Sequence, residues 1–382
     1  MTTQPPTDEP TPAPRPAETM PTAQPIAPAH PAAAVPPPWW AQPPKKRSWF
    51  RRLLTGIGVL IFIFSILMNF GLLMVLAIVA PGQNELRTTV LEEGQKEQTI
   101  AVFAIEGTID GKTSADFRKF YRQVRDDKNV KAVVLRVDSP GGTVSDSDEI
   151  HHLVVMIQKE LGRPVIVSMG GMAASGGYYV SASADQIFVE PTTVTGSIGV
   201  IAGWPVIKDF LNSHGVQMVM LRSDQARGTK ATENPFEKPT DRTILNMQKL
   251  LTDMHKQFVD VVRAGRPNLK TKNIQVTIDV PTADGSKKET VQQTEPLNGQ
   301  VYLGQDAIDI GLADQKGYTS DALAYAAKTA NLSKPHVVQY VRQRGLAAIF
   351  DAKAESTTIP DPVKVLDDLS TPRVMMMWKV EN

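Results

Sequence analysis

The chain has 382 residues, no cysteine, 29 prolines and a formal net charge of +1. Without a thiol it cannot be a cysteine peptidase, a zinc finger, an iron–sulfur protein or a disulfide scaffold, and near-neutral charge argues against a nucleic-acid partner, which normally needs a basic face. The length exceeds that of one average domain, and roughly 240 to 300 residues would bury an ample core.

Fifteen of the 29 prolines fall in residues 1–44, a stretch of Pro, Ala, Thr and Gln. Burial there cannot offset the entropy of ordering, so a disordered tail is expected, with a polyproline ligand as the alternative. A basic juxtamembrane cluster follows in 45–52, Lys45, Lys46, Arg47, Arg51 and Arg52, and then 28 uncharged residues from Leu53 to Ala80. At 1.5 Å per residue this run exceeds the roughly 30 Å hydrocarbon core, so one transmembrane helix is expected over 53–80. A cleaved signal peptide would have a shorter run and an earlier start, and the context after Arg51 and Arg52 is not that of a twin-arginine signal. The basic cluster predicts a cytoplasmic N-terminus, with everything after Pro81 on the other side and Trp39, Trp40 and Trp49 at headgroup level. Asp8, Glu9 and Glu18 against Arg15 make the tail net −2 and the cluster carries five positive charges, which leaves the exported part at −2. A strongly charged substrate is therefore not suggested.

After an expected linker, 81–98, short branched apolar runs alternate with helix-like segments. Ile100–Ile105, Ala132–Val137, Val165–Ser168 and Gln186–Val189 read as strands, with Val216–Leu221 closing the series before an amphipathic helix from about Pro239 to Ala264. Alternating β and α units predict a mainly parallel α/β sheet covered by helices. The polar stretch 267–298, with Asp284-Gly285 at its centre, reads as an inserted hairpin, and 304–330 returns to helix. The extension 345–382 is irregular until the apolar Val374–Trp378.

Three glycine-rich segments each follow a predicted strand: Asp138-Ser139-Pro140-Gly141-Gly142-Thr143, then Gly170 to Tyr179 around Ala174-Ser175-Gly176-Gly177, then Thr195-Gly196-Ser197-Ile198-Gly199-Val200. A Pro-Gly-Gly turn entering a helix exposes amides that an oxyanion needs, although glycine also serves such turns for purely conformational reasons. Ser175, near a helix start and between small residues, lets a substrate backbone reach its hydroxyl; close helix packing explains the same small residues. It lacks the G-x-S-x-G elbow pattern, because position 173 is Ala.

A serine nucleophile needs a base, usually histidine. Of the six histidines, His30 lies in the tail, and His151, His152, His214, His255 and His336 sit in no motif-like context. None makes an H-E-x-x-H pattern, so no metal is expected. Lysine is the remaining candidate, and a lysine serves as a neutral base only if burial lowers its pKa from about 10.4. Gly228-Thr229-Lys230-Ala231, closing on Pro235-Phe236, lies about thirty residues after the third glycine-rich segment.

Taken in order, Asp-Ser-Pro-Gly-Gly, Ala-Ala-Ser-Gly-Gly-Tyr-Tyr, Thr-Gly-Ser-Ile-Gly-Val and Gly-x-x-Lys-x4-Pro-Phe resemble the signal peptide peptidase A (SppA, protease IV) family of serine peptidases, in its short single-domain form. Asn298 to Gly304, with Ala307 and Gly311-Leu312-Ala313-Asp314, is similar to that family's C-terminal signature. The resemblance covers about residues 99–330 of an expected peptidase domain, 99–344. It implies Ser175 as nucleophile, Lys230 as general base, Ser197 as the serine orienting the lysine, and an oxyanion hole from Gly176 with Gly141 or Gly142. It further implies a Clp-protease/crotonase-like superhelix, membrane-bound homo-oligomeric rings in which Ser175 and Lys230 come from one subunit or from neighbours, no cofactor, and small apolar peptides such as remnant signal peptides as substrates. The chain departs from the family in having Ala231 where many members have Ser, and in its long 267–298 stretch. Two other readings share the fold: a crotonase-type acyl-CoA enzyme, which an exported domain would separate from cytosolic CoA, and a catalytically silent membrane scaffold. For a bacterial-type family the topology places the anchor in the cytoplasmic membrane and the catalytic domain in the periplasm.

Overall fold

The computed structural model describes residues 49–79, 86–342 and 373–377; the side chains described are those of 49–73, 86–342, Met375 and Met376. The Pro-rich tail 1–44, the cluster residues Lys45, Lys46 and Arg47, and most of 345–382 lie outside the described residues. The chain divides into two units, 1–71 and 72–382.

Helix α1 (Trp49–Val79) lies mostly in the first unit, runs past its end at Gly71, and starts four residues before the expected span. Its 25-residue stretch Trp49–Leu73 has a mean hydropathy of 2.3 and none of it is buried. By length and composition α1 is long and apolar enough to cross a membrane.

The second unit is built on a nine-stranded sheet. Its main path runs β1 (Arg87–Glu92), β13 (Pro335–Val341), β2 (Gln95–Glu106), β3 (Val130–Ser139), β5 (Val165–Ala174), β6 (Gln186–Val189) and β12 (Gln315–Lys316). Every neighbour on that path is parallel except β1 against β13. The far end of β5 leaves β6 and pairs instead with β7 (Val194–Gly196), which in turn takes β11 (Val301–Leu303) antiparallel. The mainly parallel α/β class expected from the alternating pattern is therefore the fold observed.

Both faces are covered, which is why the central strands are continuously apolar. Side chains alternate across the pleat. On β2, Ala101, Phe103 and Ile105 join the larger core under α2 (Gly111–Asp126), α3 (Val144–Lys159), α4 (Gly176–Ser181) and α6 (Asp241–Gly265). Ile100 and Val102 face the other way, toward Ala322 and Ala326 of α8 (Thr319–Thr329). Phe103, Phe117 and Phe120 form a ring cluster at centroid distances of 5.0 to 5.5 Å.

Several expectations are corrected. Much of the supposed linker 81–98 is sheet, because β1 and the start of β2 pair with β13. Val216–Leu221 forms no strand; it follows α5 (Lys208–Ser213) as irregular chain with Val219 and Leu221 exposed, since no strand edge meets it. Residues 304–330 split into α7 (Gly304–Ile310) and α8, with β12 between them. The 267–298 hairpin is present: β9 (Lys272–Thr282) and β10 (Gly285–Glu295) pair antiparallel across Ala283-Asp284 as a separate two-stranded sheet.

One buried ion pair ties the end of α6 to the sheet. Arg266, 7% exposed, donates to the carbonyls of Ala182 and Ala184 at 3.1 and 2.7 Å and to Asp314 at 2.8 Å. Asp314 also accepts from the Ile187 amide at 2.7 Å. Arg266→Met removes the donor to three acceptors at once, so chemical denaturation should show a loss of about 2–4 kcal/mol, whereas Arg263→Met, on the same helix, should change stability by less than about 0.5 kcal/mol.

Candidate functional site

Ser175 stands at the junction of β5 and α4 with φ 53° and ψ −113°, a backbone that L residues avoid. Such a turn stores about 1–3 kcal/mol of strain and persists only where its surroundings enforce it. Two bonds do so: the Ser175 amide donates to the Gly196 carbonyl at 2.8 Å, and its carbonyl accepts from the Tyr179 amide at 2.8 Å. Helix α4 is held in turn by its tyrosines. Tyr178 donates to the Leu312 carbonyl at 2.9 Å and Tyr179 to Asp148 at 2.6 Å. Burial raises the pKa of both phenols, and for Tyr179 the bond to Asp148 adds to the effect, so both remain neutral donors at working pH. The result is a sharp strand-to-serine-to-helix elbow, formed without the G-x-S-x-G pattern because Ala173 and Gly177 are small enough to fill the flanking positions.

The Ser175 side chain is buried, and its Oγ lies 3.4 Å from the Gly199 carbonyl. Gly176 opens α4, so its N–H has no acceptor within the helix. A Cβ on Gly176 would fall 2.6 Å from the Ser147 Oγ and 3.1 Å from both the Gly141 Cα and the Gly142 nitrogen. Only glycine fits, and its amide consequently comes close to that of Gly142.

Gly141 and Gly142 separate in role. The Gly141 N–H donates to the Ser139 Oγ at 3.0 Å, while its carbonyl accepts from Ile109. Thr143 donates back to Ile109, so Gly142 of β4 (Gly141–Thr143) turns its own N–H and C=O to the opposite side. Of the two glycines, Gly141 has its amide taken by Ser139, and Gly142 turns its amide away from Ile109, to the side on which it pairs with Met376. Ser197, buried and at φ 52°, follows Gly196 directly, and its amide donates to the Gln300 carbonyl at 2.7 Å. Ser175, Gly142, Gly176 and Ser197 are thus brought together.

Lys230 is not. It sits in an exposed turn, and no hydrogen bond or ion pair of its ammonium group occurs among the described residues. The loop itself is built by residues that sequence reasoning missed. Arg222 donates to the carbonyls of Lys230 at 2.5 Å and Ala231 at 2.9 Å and pairs with Glu237 at 2.6 Å. Asn234 adds a bond to the Ala231 carbonyl at 2.7 Å. The Arg222 hydrogen bond holds the Glu237 carboxyl below the ordinary carboxylate range. No periodicity links positions 222 and 237, so only the folded loop reveals the clamp. Ala231 has φ 51°.

A hydroxyl on a strained elbow, beside two amides that no side chain can cover, is suited to acyl transfer. On this fold such a geometry defines a serine-type hydrolase, and the comparisons specify which. The model of peptidase family S49 matches residues 157–333. A putative signal peptide peptidase SppA of Enterococcus faecium is 32% identical over 270 residues, 68% of this chain and 72% of that protein. Protease 4 of Haemophilus influenzae is 34% identical over 256 residues, 65% of this chain but 38% of that longer protein. Among solved structures, a ClpP1 mutant of Listeria monocytogenes aligns over 58% of this chain and 94% of its own with a TM-score of 0.35 and 14% identity. The chain belongs to the SppA family of serine peptidases, peptidase family S49.

Gly176→Ala places a methyl on Ser147 and the Gly142 amide, and should reduce kcat by about 10²–10³ with the melting temperature lowered only modestly. A second expectation concerns the clamp. The Glu237 pKa is depressed on folding, so its contribution is full above the ordinary glutamate pKa and is lost as pH falls through the lower folded value. Protease nicking of loop 222–237 should therefore be slow at neutral pH, unchanged on mild acidification and faster only in stronger acid; Arg222→Ala should show fast nicking at every pH.

Proposed function

We propose that this chain is a membrane-anchored serine endopeptidase with a Ser175/Lys230 dyad, its N-terminus in the cytoplasm and its catalytic unit on the other side, which cleaves small apolar peptides such as remnant signal peptides. The observation that carries the reading is Ser175 on its elbow between the amides of Gly142 and Gly176. In the proposed reaction neutral Lys230 takes the Ser175 proton, and the serine oxygen attacks the scissile carbonyl. The negative charge that develops is met by the two glycine amides. Collapse of the intermediate expels the amine, which takes up the proton, and leaves an acyl ester on Ser175. Water, deprotonated by Lys230, then releases the acid. Ser197 orients the lysine.

Support for a shared site comes from the surface position of Lys230. An ammonium acts as a base only after losing its proton, which removal from water favours. The same part of the chain exposes Val206, Phe210, Val216, Met218, Val219 and Leu221, and contiguous exposed apolar side chains mark association surfaces. In this reading a neighbouring copy covers that surface and brings Lys230 to Ser175 in a homo-oligomeric ring.

A fluorophosphonate probe should label the wild type and not Ser175→Ala. Ser175→Ala and Lys230→Ala should each abolish peptide hydrolysis while folding and assembling normally. If sites form between copies, co-assembling the two inactive variants should restore roughly a quarter of the wild-type activity, the share of random interfaces that unite an intact serine with an intact lysine. Full activity of purified Lys230→Ala would exclude it as the base.

A further inference from the structure

The inserted hairpin forms one wall of a second cleft beside the site. Its tip is fastened to the start of α6, where the Ala283 amide donates to Asp241 at 2.9 Å, and its base is fastened further along, where His255 donates from Nε2 to the Leu297 carbonyl at 2.8 Å. At that base the Leu297 amide also donates to the Thr294 carbonyl at 2.7 Å, and the Asn298 side chain donates to Gln293 at 3.1 Å. The end of β10 is therefore a fixed wall, and together with α6 and residues 198–200 it lines a cleft of about 550 Å³. Residues 198–200 lead from β7 into the short strand β8 (Ile201–Gly203). Gly199 belongs to both places: it lines the cleft, and its carbonyl is 3.4 Å from the Ser175 Oγ. The volume falls within the roughly 300–1,000 Å³ of pockets that bury a small ligand.

The chemistry of the walls is one-sided. Among the described residues no aspartate or glutamate lines the cleft, whereas Arg263 does, and Arg263 takes part in no ion pair among those residues. Asp260, the nearest carboxylate before it on α6, lines a different cleft, against α3. An uncommitted guanidinium presents a planar fork that fits a carboxylate or a phosphate with two bonds. Leu251, Val259 and Leu297 give the same cleft an apolar lining, and the side-chain amides of Gln248, Gln292 and Gln293 bring polar groups to it. Inorganic phosphate would use the fork and none of the apolar wall. A plain hydrocarbon carboxylate would use both and offer the glutamines nothing, while a peptide end also supplies N–H and C=O partners for them.

We propose that this cleft holds the C-terminal carboxylate of a short apolar peptide, with Arg263 as the group that receives it, so that the favoured substrates are short peptides ending in a free carboxylate. The proposal rests on the peptidase reading for the fate of the peptide, but not for its binding. Because Gly199 borders both the cleft and the Ser175 hydroxyl, a peptide anchored by its end is brought alongside the serine. Any fragment released by an earlier hydrolysis ends in such a carboxylate. The class of reaction that supplies this substrate is therefore itself a peptide hydrolysis.

The test uses the full chain in detergent, with Ser175→Ala to prevent turnover, and titration calorimetry of three ligands: N-acetyl-Ala-Leu-Ala-Leu as the free acid, the same peptide as its C-terminal amide, and decanoate. The acid should bind about fivefold more tightly than the amide, the size expected of a partly exposed charge-assisted pair. Adding Arg263→Gln should remove that difference, and Arg263→Lys should keep part of it. Thr252→Trp, which puts an indole into the cleft from an exposed helix position, should weaken acid and amide alike. Equal binding of acid and amide, or a preference for the acid that survives Arg263→Gln, overturns the proposal. Tighter binding of decanoate than of the peptide acid also overturns it, in favour of a fatty acid. With Ser175 restored, the acid should be the better substrate through a lower KM at similar kcat, and Arg263→Gln should raise that KM to the amide's. If the wild type hydrolyses no peptide, the peptidase reading fails, and the calorimetry still decides whether the cleft takes a peptide carboxylate.

Discussion

The site depends on one backbone constraint: Ser175 is held at positive φ between the end of β5 and the start of α4. The strain is sustained by hydrogen bonds from both sides and by two buried tyrosines that pin α4. Relaxing that turn would swing the hydroxyl away from the amides and turn the first helical N–H elsewhere. The parallel sheet supplies the rigidity this needs, since β5 is paired along its length, first with β6 and then with β7. The Gly196 carbonyl that receives the Ser175 amide is on β7, so the shift of partner along β5 is part of how the site is made.

Close approach is the second requirement, and it accounts for glycine at positions 142 and 176 better than turn geometry does. At Gly176 the obstacle to a side chain is space already occupied by Ser147 and Gly142. At β4 the Gly141 amide is taken by Ser139, and the Gly142 amide is turned away from Ile109. Two amides from distant parts of the chain thereby converge with no side chain between them.

The proposed base follows a different logic. Lys230 rides on a surface loop organised by Arg222 and Glu237, apart from the sheet that positions the serine. The loop is locally well defined yet displays its lysine and nearby apolar side chains to solvent. In the proposed reading, a nucleophile fixed within the fold and a base carried on an outlying loop are the parts of a site that assembly completes, which would couple activity to association.

From the residues alone, the parallel α/β class was legible in short branched strands alternating with helices, as were the long apolar helix, the 267–298 hairpin with its Asp-Gly turn, and the family from four ordered motifs. Those are local or periodic properties, written in composition and spacing. Ser175 was legible from its small neighbours, but its left-handed backbone was not, because that conformation is imposed by Gly196 and by helix packing against Leu312 and Asp148. Val216–Leu221 carries a strand's composition and forms none, since strand formation needs a partner edge. The separate hydrogen-bond partners of Gly141 and Gly142 and the clamp on the Lys230 loop both depend on contacts that the folded chain makes and its spacing does not show. The sequence by itself determined which chemical groups are available and in what order; only the tertiary structure decided which of them meet, because convergence is set by sheet register and close packing rather than by spacing along the chain.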